Sequence, residues 1–525
     1  MAKLYEYQSK KLLHDAGIRI PQGGLAGTPE EARELAEALG KPVVLKIQTW
    51  VTGRAALGGI QFAETPEEAE EKARGLLGLK VKAYVIDRIL VEEKLAIRAE
   101  YFAGLVMDDA RKVPLLVFSS TGGSGVEEIA RHSPDKIVTI PIDVRTGLRE
   151  FETRDLAHKA GLTGPIQLQV ADVLVRLYKA ARTVEARSAE VNPLVLAEDG
   201  NIYAADCHLV VDDYAVHRHP ELGIEIAREF DRPPTVLEKI AYKVEEKDHR
   251  GTFYFLEMAE NRAESGPVEG AGADADEILI GFHGAGGGGS MMSMDAVQAK
   301  GFKTANYCDT SGNPPASKVY RAAKIILSQP GLRGYFASGS GVASQEQYNS
   351  ARGLVKAFIE EGLEIPAVIR LGGNCEEEAI RILAAYLKRI PGRVEGYGRD
   401  DLPEFCAGRM EELIRESGGA RHAVGNIPPP APPEGCYGFD TLTGRVSFNH
   451  DRCRKCVSKA CVGACTPGIL KVENDLPVLA VSPEDARRGK CTECLACEIQ
   501  CRFHERAAIF IELPIPGLEA YRKSL

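Results

Sequence analysis

Apolar and polar residues alternate along the chain in patterns that predict many short strands and amphipathic helices. In the N-terminal half, β-rich runs such as PVVLKIQ (42–48) and PLLVFSS (114–120) alternate with helical stretches such as TPEEARELAEALG (28–40). This helical stretch starts with Thr28 as an N-cap followed by acidic residues, and it ends at Gly40. Both ends of the helix are therefore predicted from the sequence.

The middle of the chain repeats a strand, a glycine turn and a helix three times. The strands and turns are ILIGFHGAGGGG (278–289), RGYFASGSG (333–341) and PAVIRLGGN (366–374), and a helical stretch follows each of them. Such a repeat predicts a parallel, doubly wound sheet. Glycine-ended strands that lead into helix N-termini also place amides suited to phosphate or carboxylate groups along one sheet edge.

Two changes in composition divide the chain further. Residues 259–277 are mostly Gly, Ala and acidic residues without apolar periodicity, which predicts an exposed insertion or linker. Residues 426–435, NIPPPAPPEG, predict a semi-rigid spacer.

Net charge and hydropathy exclude several classes of protein. The 65 Lys and Arg against 75 Asp and Glu give a net charge of −10, which suits neither nucleic acid nor an anionic membrane surface. No apolar run is long enough to span a membrane, and the N-terminus lacks the apolar core of a signal peptide. We therefore expect a cytoplasmic protein.

Eight of the 13 cysteines lie between Cys453 and Cys501, which indicates metal ligation because a reducing cytoplasm disfavours disulfides. The first four have the spacing C-x2-C-x4-C-x3-C and the last four C-x2-C-x2-C-x3-C. A pair of tetrahedral zinc sites is one interpretation, since C-x2-C pairs also suit zinc. The other is a pair of [4Fe–4S] clusters, because the runs resemble those of bacterial two-cluster ferredoxins.

In those ferredoxins the fourth cysteine of each run ligates the other cluster. The resemblance therefore implies two crossed ligand sets, namely Cys453, Cys456, Cys461 and Cys501 for one cluster, and Cys491, Cys494, Cys497 and Cys465 for the other. This chain departs from the family in the four residues between the second and third cysteines of the first run. The proline that usually follows the fourth cysteine comes one place later, as Pro467.

Several motifs occur in a fixed order over residues 3–415. They include KLYEYQSKKLLHD (3–15), SAEVNPLVLAEDGNIYAADCHLVVDDYAVHRHPEL (188–222), HGAGGGGSMMSMDAV (283–297) and VIRLGGN (368–374). Together they resemble the succinyl-CoA synthetase β subunit, an ATP-grasp protein. The resemblance implies an α/β chain with an ATP-grasp domain (1–235), a connecting segment with a flexible insertion (236–277) and a flavodoxin-like CoA-ligase domain with a doubly wound parallel sheet (278–420). The proline-rich composition adds a Pro-rich linker (421–436), and the cysteine runs, by their resemblance to ferredoxins, add a small α+β ferredoxin-like domain (437–525).

The same resemblance implies a site for ATP or GTP and Mg²⁺. Its nucleotide-binding residues would be Lys46, Gly53, Arg54, Ala55, Glu92, Leu95 and Glu100. The metal ligands would be Asn192 and Asp206, which offer the hard oxygen atoms that Mg²⁺ prefers. Arg54 and Glu190 would be catalytic, with Glu190 at the position of a carboxylate that approaches a phosphohistidine in the family.

The acyl substrate would lie at His283, Gly341, Val342 and Ala343, which occupy the family's acyl-binding positions. His283 stands where the family has Asn. Three interpretations of it remain open: a substrate or interface contact, a buried hydrogen-bonded histidine, or a phosphorylated histidine. The change from Asn to imidazole predicts a preferred acid other than succinate.

The resemblance implies an acid–thiol ligase that forms acyl-CoA from a carboxylate, coenzyme A and ATP through an acyl phosphate and a phosphohistidine. The chain shows no α-type phosphohistidine motif, so we expect an α-type CoA-binding partner subunit and a hetero-oligomer. The two [4Fe–4S] clusters would link the ligase to a ferredoxin-dependent oxidoreductase. The alternatives are an ATP-driven electron-transfer subunit and a ligase-like scaffold with structural clusters.

Overall fold

The computed structural model describes residues 1–51, 53–81, 84–123, 137–228, 230, 232–258, 278–339, 341, 346–425 and 430–525, apart from the side chains of 503–505. The predicted acyl-site residues Val342 and Ala343 and the predicted insertion 259–277 lie outside the described residues. The chain divides into two compact units, Met1–Pro234 and Thr235–Leu525.

The first unit contains two larger antiparallel sheets and a two-stranded ribbon, Lys80–Val81 with Tyr84–Val85. Across the larger sheet the strands are ordered Ala2–Lys3, Cys207–Val211, Ala186–Ala197, Ile97–Asp108, Val113–Ser119 and Ile137–Pro141, with Ile202–Ala204 paired to Ala186–Ala197. Across the four-stranded sheet the order is Gly23–Ala26, Ile89–Glu93, Val43–Ile47 and Ile60–Ala63. The strands predicted within 42–48 and 114–120 are therefore confirmed.

Five α-helices and two short 3-10 helices are described in the first unit: Glu6–Asp15, Pro29–Leu39, Pro66–Leu76, Glu150–Lys159 and Gly164–Thr183, then Val216–Arg218 and Pro220–Leu222. The predicted ends of the second helix are confirmed. Thr28 Oγ1 accepts a hydrogen bond from the Glu31 N–H at 3.2 Å, and Gly40 ends the helix in the left-handed conformation.

A mostly parallel sheet forms the centre of the second unit. Its strands are ordered Tyr254–Glu257, Asn306–Asp309, Leu279–Ala285, Gly334–Gly339, Ala367–Arg370 and Val394–Tyr397, with Lys303–Thr304 paired to Leu279–Ala285. Only the edge strand Tyr254–Glu257 runs antiparallel to its neighbour among these described pairs. The three predicted strand–glycine–helix repeats thus form the parallel sheet that their pattern indicates.

The longer helices of the second unit are Val236–Lys247, Gly287–Ala299, Ala316–Ile326, Tyr348–Glu361, Glu376–Tyr386 and Pro403–Glu416, with a 3-10 turn at Leu387–Arg389. The segment 236–258 differs from the expected connecting segment. It forms a helix and the antiparallel edge strand, because residues such as Leu237, Ile240 and Phe255 are buried in the core of this unit.

The cysteine-rich region adds a three-stranded sheet, Tyr437–Asp440, Arg445–Phe448 and Ile509–Glu512, and a hairpin, Leu470–Glu473 with Leu476–Leu479. Short helical segments lie between these strands, at His450–Arg454, Ala460–Gly463, Pro483–Asp485, Ala486–Lys490, Ala496–Glu498 and Ile499–Glu505, and the helix Leu518–Ser524 follows the last strand. One hydrophobic core includes residues of both the parallel-sheet region and this region. None of the described helices has the length and apolarity needed to cross a membrane.

Candidate nucleotide site and cysteine centre

A buried network of charged side chains lies between the two larger sheets of the first unit. Glu6, at the start of the first helix, accepts hydrogen bonds or ion pairs from Lys10 at 2.9 Å, Lys46 at 2.9 Å and Arg54 at 2.7 Å. Glu92, on the strand beside Lys46, pairs with Lys10 at 2.6 Å and with Lys46 at 3.1 Å. These side chains are almost completely buried.

The network continues to the predicted metal ligand Asp206. Arg54 donates to Asp206 Oδ2 at 2.8 Å, and Lys46 donates to the Ala205 carbonyl at 2.6 Å. Three cations therefore face three carboxylates, and such charges are tolerated in a protein interior only when they are paired. The arrangement brings the predicted phosphate-binding cations and a predicted metal ligand to one place.

The electrostatic field of this network shifts several pKa values. Burial and Asp206 act to raise the pKa of Glu6, but Lys10, Lys46 and Arg54 outweigh them and lower it to about 2. Burial also acts to raise the pKa of Asp206, yet Arg54 and its other positive neighbours hold this pKa well below the usual range. Glu6 and Asp206 are therefore ionised at neutral pH.

Asn192 lies beside Asp206 on the neighbouring strand. Its backbone N–H donates to the Asp206 carbonyl at 3.3 Å, and its side-chain Oδ1 accepts a hydrogen bond from the Gly123 N–H at 2.8 Å. Both predicted metal ligands thus contact protein groups, and both are part of one local structure. Their oxygen atoms suit Mg²⁺, which is usually held by one or two protein carboxylates together with water and phosphate.

The other predicted residues of the first unit differ in their exposure to solvent. Gly53 and Ala55 flank Arg54 in an exposed turn, and Leu95 is half-buried in the turn after Glu93. Glu100 is half-buried on the strand Ile97–Asp108, and its carbonyl accepts a hydrogen bond from the Gly122 N–H at 2.9 Å. Glu190 is exposed and lies opposite His208 in the sheet.

His283 is buried in the second unit with both ring nitrogens engaged. Nδ1 is 2.6 Å from the Tyr335 hydroxyl, and Nε2 is 3.2 Å from Thr310 Oγ1. Burial lowers the pKa of His283 to about 3, so the imidazole is neutral at physiological pH. Of the interpretations that the sequence left open, the buried and hydrogen-bonded histidine describes this arrangement; contact with a substrate stays a prediction.

Gly341 follows the strand Gly334–Gly339 and adopts a left-handed conformation with φ of 77°. A side chain there would be strained, because L-residues rarely adopt this conformation. The residue lies at the carboxyl end of a parallel strand, which is the edge where open α/β sheets bind their ligands. Its role in substrate binding stays a prediction.

The thiols of the cysteine-rich region form two electrostatic groups. Burial raises the pKa of Cys453 to about 12, and the neighbours that raise it further are Cys501, Cys461 and Cys456. Burial raises the pKa of Cys497 well above its usual value, and the thiols that raise it further are Cys494, Cys491 and Cys465, together with the Glu498 carboxylate. The members of each group coincide with one of the two crossed sets.

Backbone amides also face these sulfur atoms. The Ala508 N–H lies 3.3 Å from Cys501 Sγ as a donor, and amides of Gly468, Ile469 and Leu470 act on the Cys465 thiol. Amide donors of this kind stabilise thiolate ligands of metal centres. Within the described residues, no group of three or more His, Cys, Asp or Glu side chains is arranged to hold a metal ion.

Two buried carboxylates attach the second cysteine run to the parallel-sheet region. Glu493 lies between Cys491 and Cys494 and pairs with Arg250 at 2.6 Å. Glu498 directly follows Cys497 and pairs with Lys356 at 2.8 Å. Cys494 also acts electrostatically on Tyr348, at the start of the helix that contains Lys356. The second cysteine group therefore lies against the parallel-sheet region of the same unit.

Sequence reasoning missed the carboxylates and lysines that complete these sites. Glu6 and Lys10 occur in a polar N-terminal stretch, and Glu493 and Glu498 appear as ordinary surface charges between cysteines. The only local signal is the spacing of Glu6 and Lys10, which places both on one helix face. Their burial depends on contacts with distant strands, and these contacts leave no local pattern in the sequence.

Comparison with known proteins first defines the class of the chain. Residues 3–196 match the family described as ATP-grasp domain. The fold also resembles the structure of ATP citrate lyase from Methanothrix soehngenii in complex with citrate and coenzyme A, with a TM-score of 0.61 at 19% identity over 79% of this chain and 99% of that one. This likeness shows the fold alone. The chain is an α/β protein with an ATP-grasp fold and a second sheet region.

Curated relatives then identify the family. The chain is 38% identical to the β subunit of GDP-forming succinate–CoA ligase from Thermus thermophilus, over 72% of this chain and 93% of the relative. It is 34% identical to the β subunit of the ADP-forming ligase from Rubrobacter xylanophilus, over 79% and 99% respectively. The chain belongs to the family of succinate–CoA ligase β subunits and is an acid–thiol ligase subunit.

Proposed function

We propose that this chain is the nucleotide-binding subunit of an acyl-CoA synthetase that forms acyl-CoA, nucleoside diphosphate and phosphate from a carboxylate, coenzyme A and ATP or GTP. An α-type partner subunit would supply the phosphohistidine and the CoA-binding domain. The observation that carries the proposal is the buried network of Lys46, Arg54, Glu92 and Asp206 with Asn192 beside it. Positioning and charge neutralisation are what phosphoryl transfer requires of a protein.

In this proposal Arg54 has two alternative partners. In the structure Arg54 pairs with Asp206. When Mg²⁺ and a nucleotide bind, Asp206 would bind the metal ion and Arg54 would bind a phosphate group of the nucleotide. Lys46 would keep its contacts with Glu6 and Glu92, and its ammonium group would face the proposed phosphate position beside Asp206. Glu190, Gly53, Ala55, Leu95 and Glu100 are proposed as the surrounding nucleotide and phosphohistidine contacts.

Calorimetric titration with Mg-ATP tests the nucleotide site. We expect Asp206→Asn to weaken binding about tenfold to a hundredfold, because a divalent cation loses a charged ligand. The matched control is Asp199→Asn, which removes an exposed carboxylate of the same unit and should leave the affinity unchanged. Unchanged Mg-ATP affinity in Asp206→Asn would remove Asp206 from the site.

The acid substrate is proposed to bind at the carboxyl edge of the parallel sheet. The strand that contains His283 ends at this edge, and Gly341 follows the end of the neighbouring strand Gly334–Gly339. We propose an acid other than succinate, since His283 fills the position of the family's Asn. A panel of carboxylic acids, assayed for CoA-thioester formation with the α-type subunit present, tests this. If succinate is the best substrate, and His283→Asn leaves the ranking unchanged, the assignment of the acyl site is wrong.

We propose further that the eight cysteines bind two [4Fe–4S] clusters in the crossed arrangement. The support is the electrostatic grouping of the thiols and the amides directed at their sulfur atoms. Such clusters accept and release single electrons, which would connect the ligase to a ferredoxin-dependent oxidoreductase. The thiolates of Cys453, Cys456, Cys461 and Cys501 would hold one cluster, and those of Cys465, Cys491, Cys494 and Cys497 the other.

Metal and sulfide analysis of anaerobically purified protein tests the clusters. About eight irons and eight labile sulfides per chain are expected for two cubane clusters. Stoichiometric zinc without sulfide would show that the zinc interpretation is correct. In the crossed arrangement Cys501→Ser should perturb the electron paramagnetic resonance signal of the Cys453 group and leave that of the Cys491 group unchanged, whereas uncrossed ligation predicts the reverse.

A structural role of the clusters is the second candidate, and the buried pairs Arg250–Glu493 and Lys356–Glu498 favour it. In that case the clusters would stabilise the packing of the cysteine-rich region on the ligase region and would not transfer electrons. Potentiometric titration with a low-potential dye separates the two roles. Reversible one-electron reduction of both clusters would support a role in electron transfer. Clusters that stay oxidised or decompose during the titration would support a structural role.

A further inference from the structure

The loop 454–458 comprises Arg454, the last residue of the helix His450–Arg454, and the four residues after it, with Cys456 at its centre. Val457 is 95% exposed, more than any other large hydrophobic side chain among the described residues. Arg454, Lys455 and Ser458 around it are exposed as well. A single exposed apolar side chain is ordinary on a protein surface, so the charges beside Val457 have to indicate any contact with another molecule.

The charges around this loop are mostly positive and only partly compensated. Residues 450–459, HDRCRKCVSK, contain four cationic side chains and one carboxylate. Lys459 is directed inward, where it binds the Cys453 carbonyl and pairs with Asp475. Within the described part of the chain, Arg454 and Lys455 take part in no ion pair, and both remain available on an otherwise acidic protein.

A second basic run in the same region shows the contrast. Arg487 and Arg488 are also exposed, but both pair with Glu484, and Lys490 pairs with Asp485. Their positive charge is therefore largely neutralised within the chain. The loop 454–458 combines uncompensated cations with an apolar tip, and the run 487–490 has neither.

The two cysteine groups differ in what covers them. The second group lies against the ligase region through Glu493, Glu498 and Tyr348. In the first group, Cys456 is half-buried and belongs to the exposed loop itself. A molecule that docks on this loop would therefore lie next to Cys456.

We propose that the loop 454–458 is a docking surface for a small acidic electron-carrier protein. Acidic side chains of the carrier would face Arg454 and Lys455 and accelerate encounter, while Val457 would exclude water from the centre of the contact. With the proposed cluster held by Cys453, Cys456, Cys461 and Cys501, the docked carrier would pass one electron to that cluster, so that the carrier is oxidised, the cluster is reduced and no bond forms or breaks. This inference rests on the proposed clusters.

The experiment measures binding of an acidic plant-type [2Fe–2S] ferredoxin, used as the probe, to the anaerobically purified full chain. We expect the affinity to fall about tenfold between low and physiological ionic strength, because salt screens exposed charges. The double variant Arg454→Glu/Lys455→Glu should weaken binding at low salt by at least about tenfold. Val457→Ser should weaken it by a smaller factor and leave the salt dependence unchanged.

The matched control is Arg487→Glu/Arg488→Glu, which changes the net charge by the same amount. It should alter the affinity less than about twofold, because these arginines belong to the neutralised run. If both double variants weaken binding of the probe equally, or if neither variant weakens it, the proposed docking surface is wrong. Loss of self-association or of the α-type subunit in the Arg454→Glu/Lys455→Glu variant, measured by sedimentation, would also overturn it, since the loop would then serve that interface.

The iron and sulfide content of each sample separates the two proposals. A chain without iron and sulfide refutes the clusters whatever the binding result. A chain that contains both clusters and binds the probe equally well in all variants refutes the docking surface alone.

Discussion

At the scale of single residues, His283 shows how burial changes the chemistry of a titratable group. Its pKa is about 3 in the folded protein because burial disfavours the imidazolium, whereas an unfolded chain titrates near 6.5. Between these values the unfolded state binds a proton that the folded state does not. The contribution of His283 to stability is therefore complete above about pH 6.5 and declines as the pH falls towards 3, by about 2 kcal/mol at pH 5.

Urea unfolding of the full chain at pH 7.5 and pH 5 measures this effect. His283→Gln removes the titration, so the difference in unfolding free energy between the two pH values should shrink by about 2 kcal/mol. His14→Gln, at an exposed histidine, serves as the control and should leave the difference unchanged. An unaltered pH dependence in His283→Gln would contradict the assignment.

At the scale of elements, the helix Tyr348–Glu361 joins the parallel sheet to the cysteine-rich region. Lys356 in its middle pairs with Glu360 and Glu498, and Glu361 at its end pairs with Arg522. Glu498→Gln removes one of the two carboxylates that compensate the buried Lys356 ammonium group, and it also removes a partner of Arg502, so we expect a loss of about 3 kcal/mol in unfolding free energy. Chemical denaturation of the full chain under anaerobic conditions measures it.

Glu484→Gln is the control for this prediction. Glu484 pairs with Arg487 and Arg488 on the surface, where an ion pair contributes at most about 1 kcal/mol. Comparable losses in the two variants would show that the Lys356–Glu498 pair does not stabilise the junction.

At the scale of the whole molecule, the cysteine-rich region is an integral part of the second unit. The hydrophobic core runs through both regions, and Arg321 donates to Thr443 and to the Pro514 carbonyl across the junction. Deleting residues 437–525 would expose this core and leave Arg321 and Lys356 without these partners. We expect the truncated chain to aggregate or to lose the fold of residues 235–436, with a soluble yield at least about fivefold lower.

Limited proteolysis of the truncated and full-length chains checks this expectation. Residues 1–234 form a separate compact unit, so a fragment of that size should survive in both digests. A truncated chain that is as soluble and as protease-resistant as the full chain would show that the cysteine-rich region is an independent module.

The sequence alone determined the features that depend on neighbouring residues. The N-cap Thr28, the terminal Gly40 and the three glycine-ended strands follow from local geometry, and the ordered motifs indicated the ATP-grasp ligase family. Cysteine spacing likewise indicated two four-cysteine runs. Only the tertiary structure decided which charges become buried partners. Glu6 with Arg54, and Lys356 with Glu498, are far apart along the chain, so their pairing follows from how the strands and helices pack. Packing likewise placed residues 236–258 in the second unit, because burial of an apolar face depends on the partner that covers it.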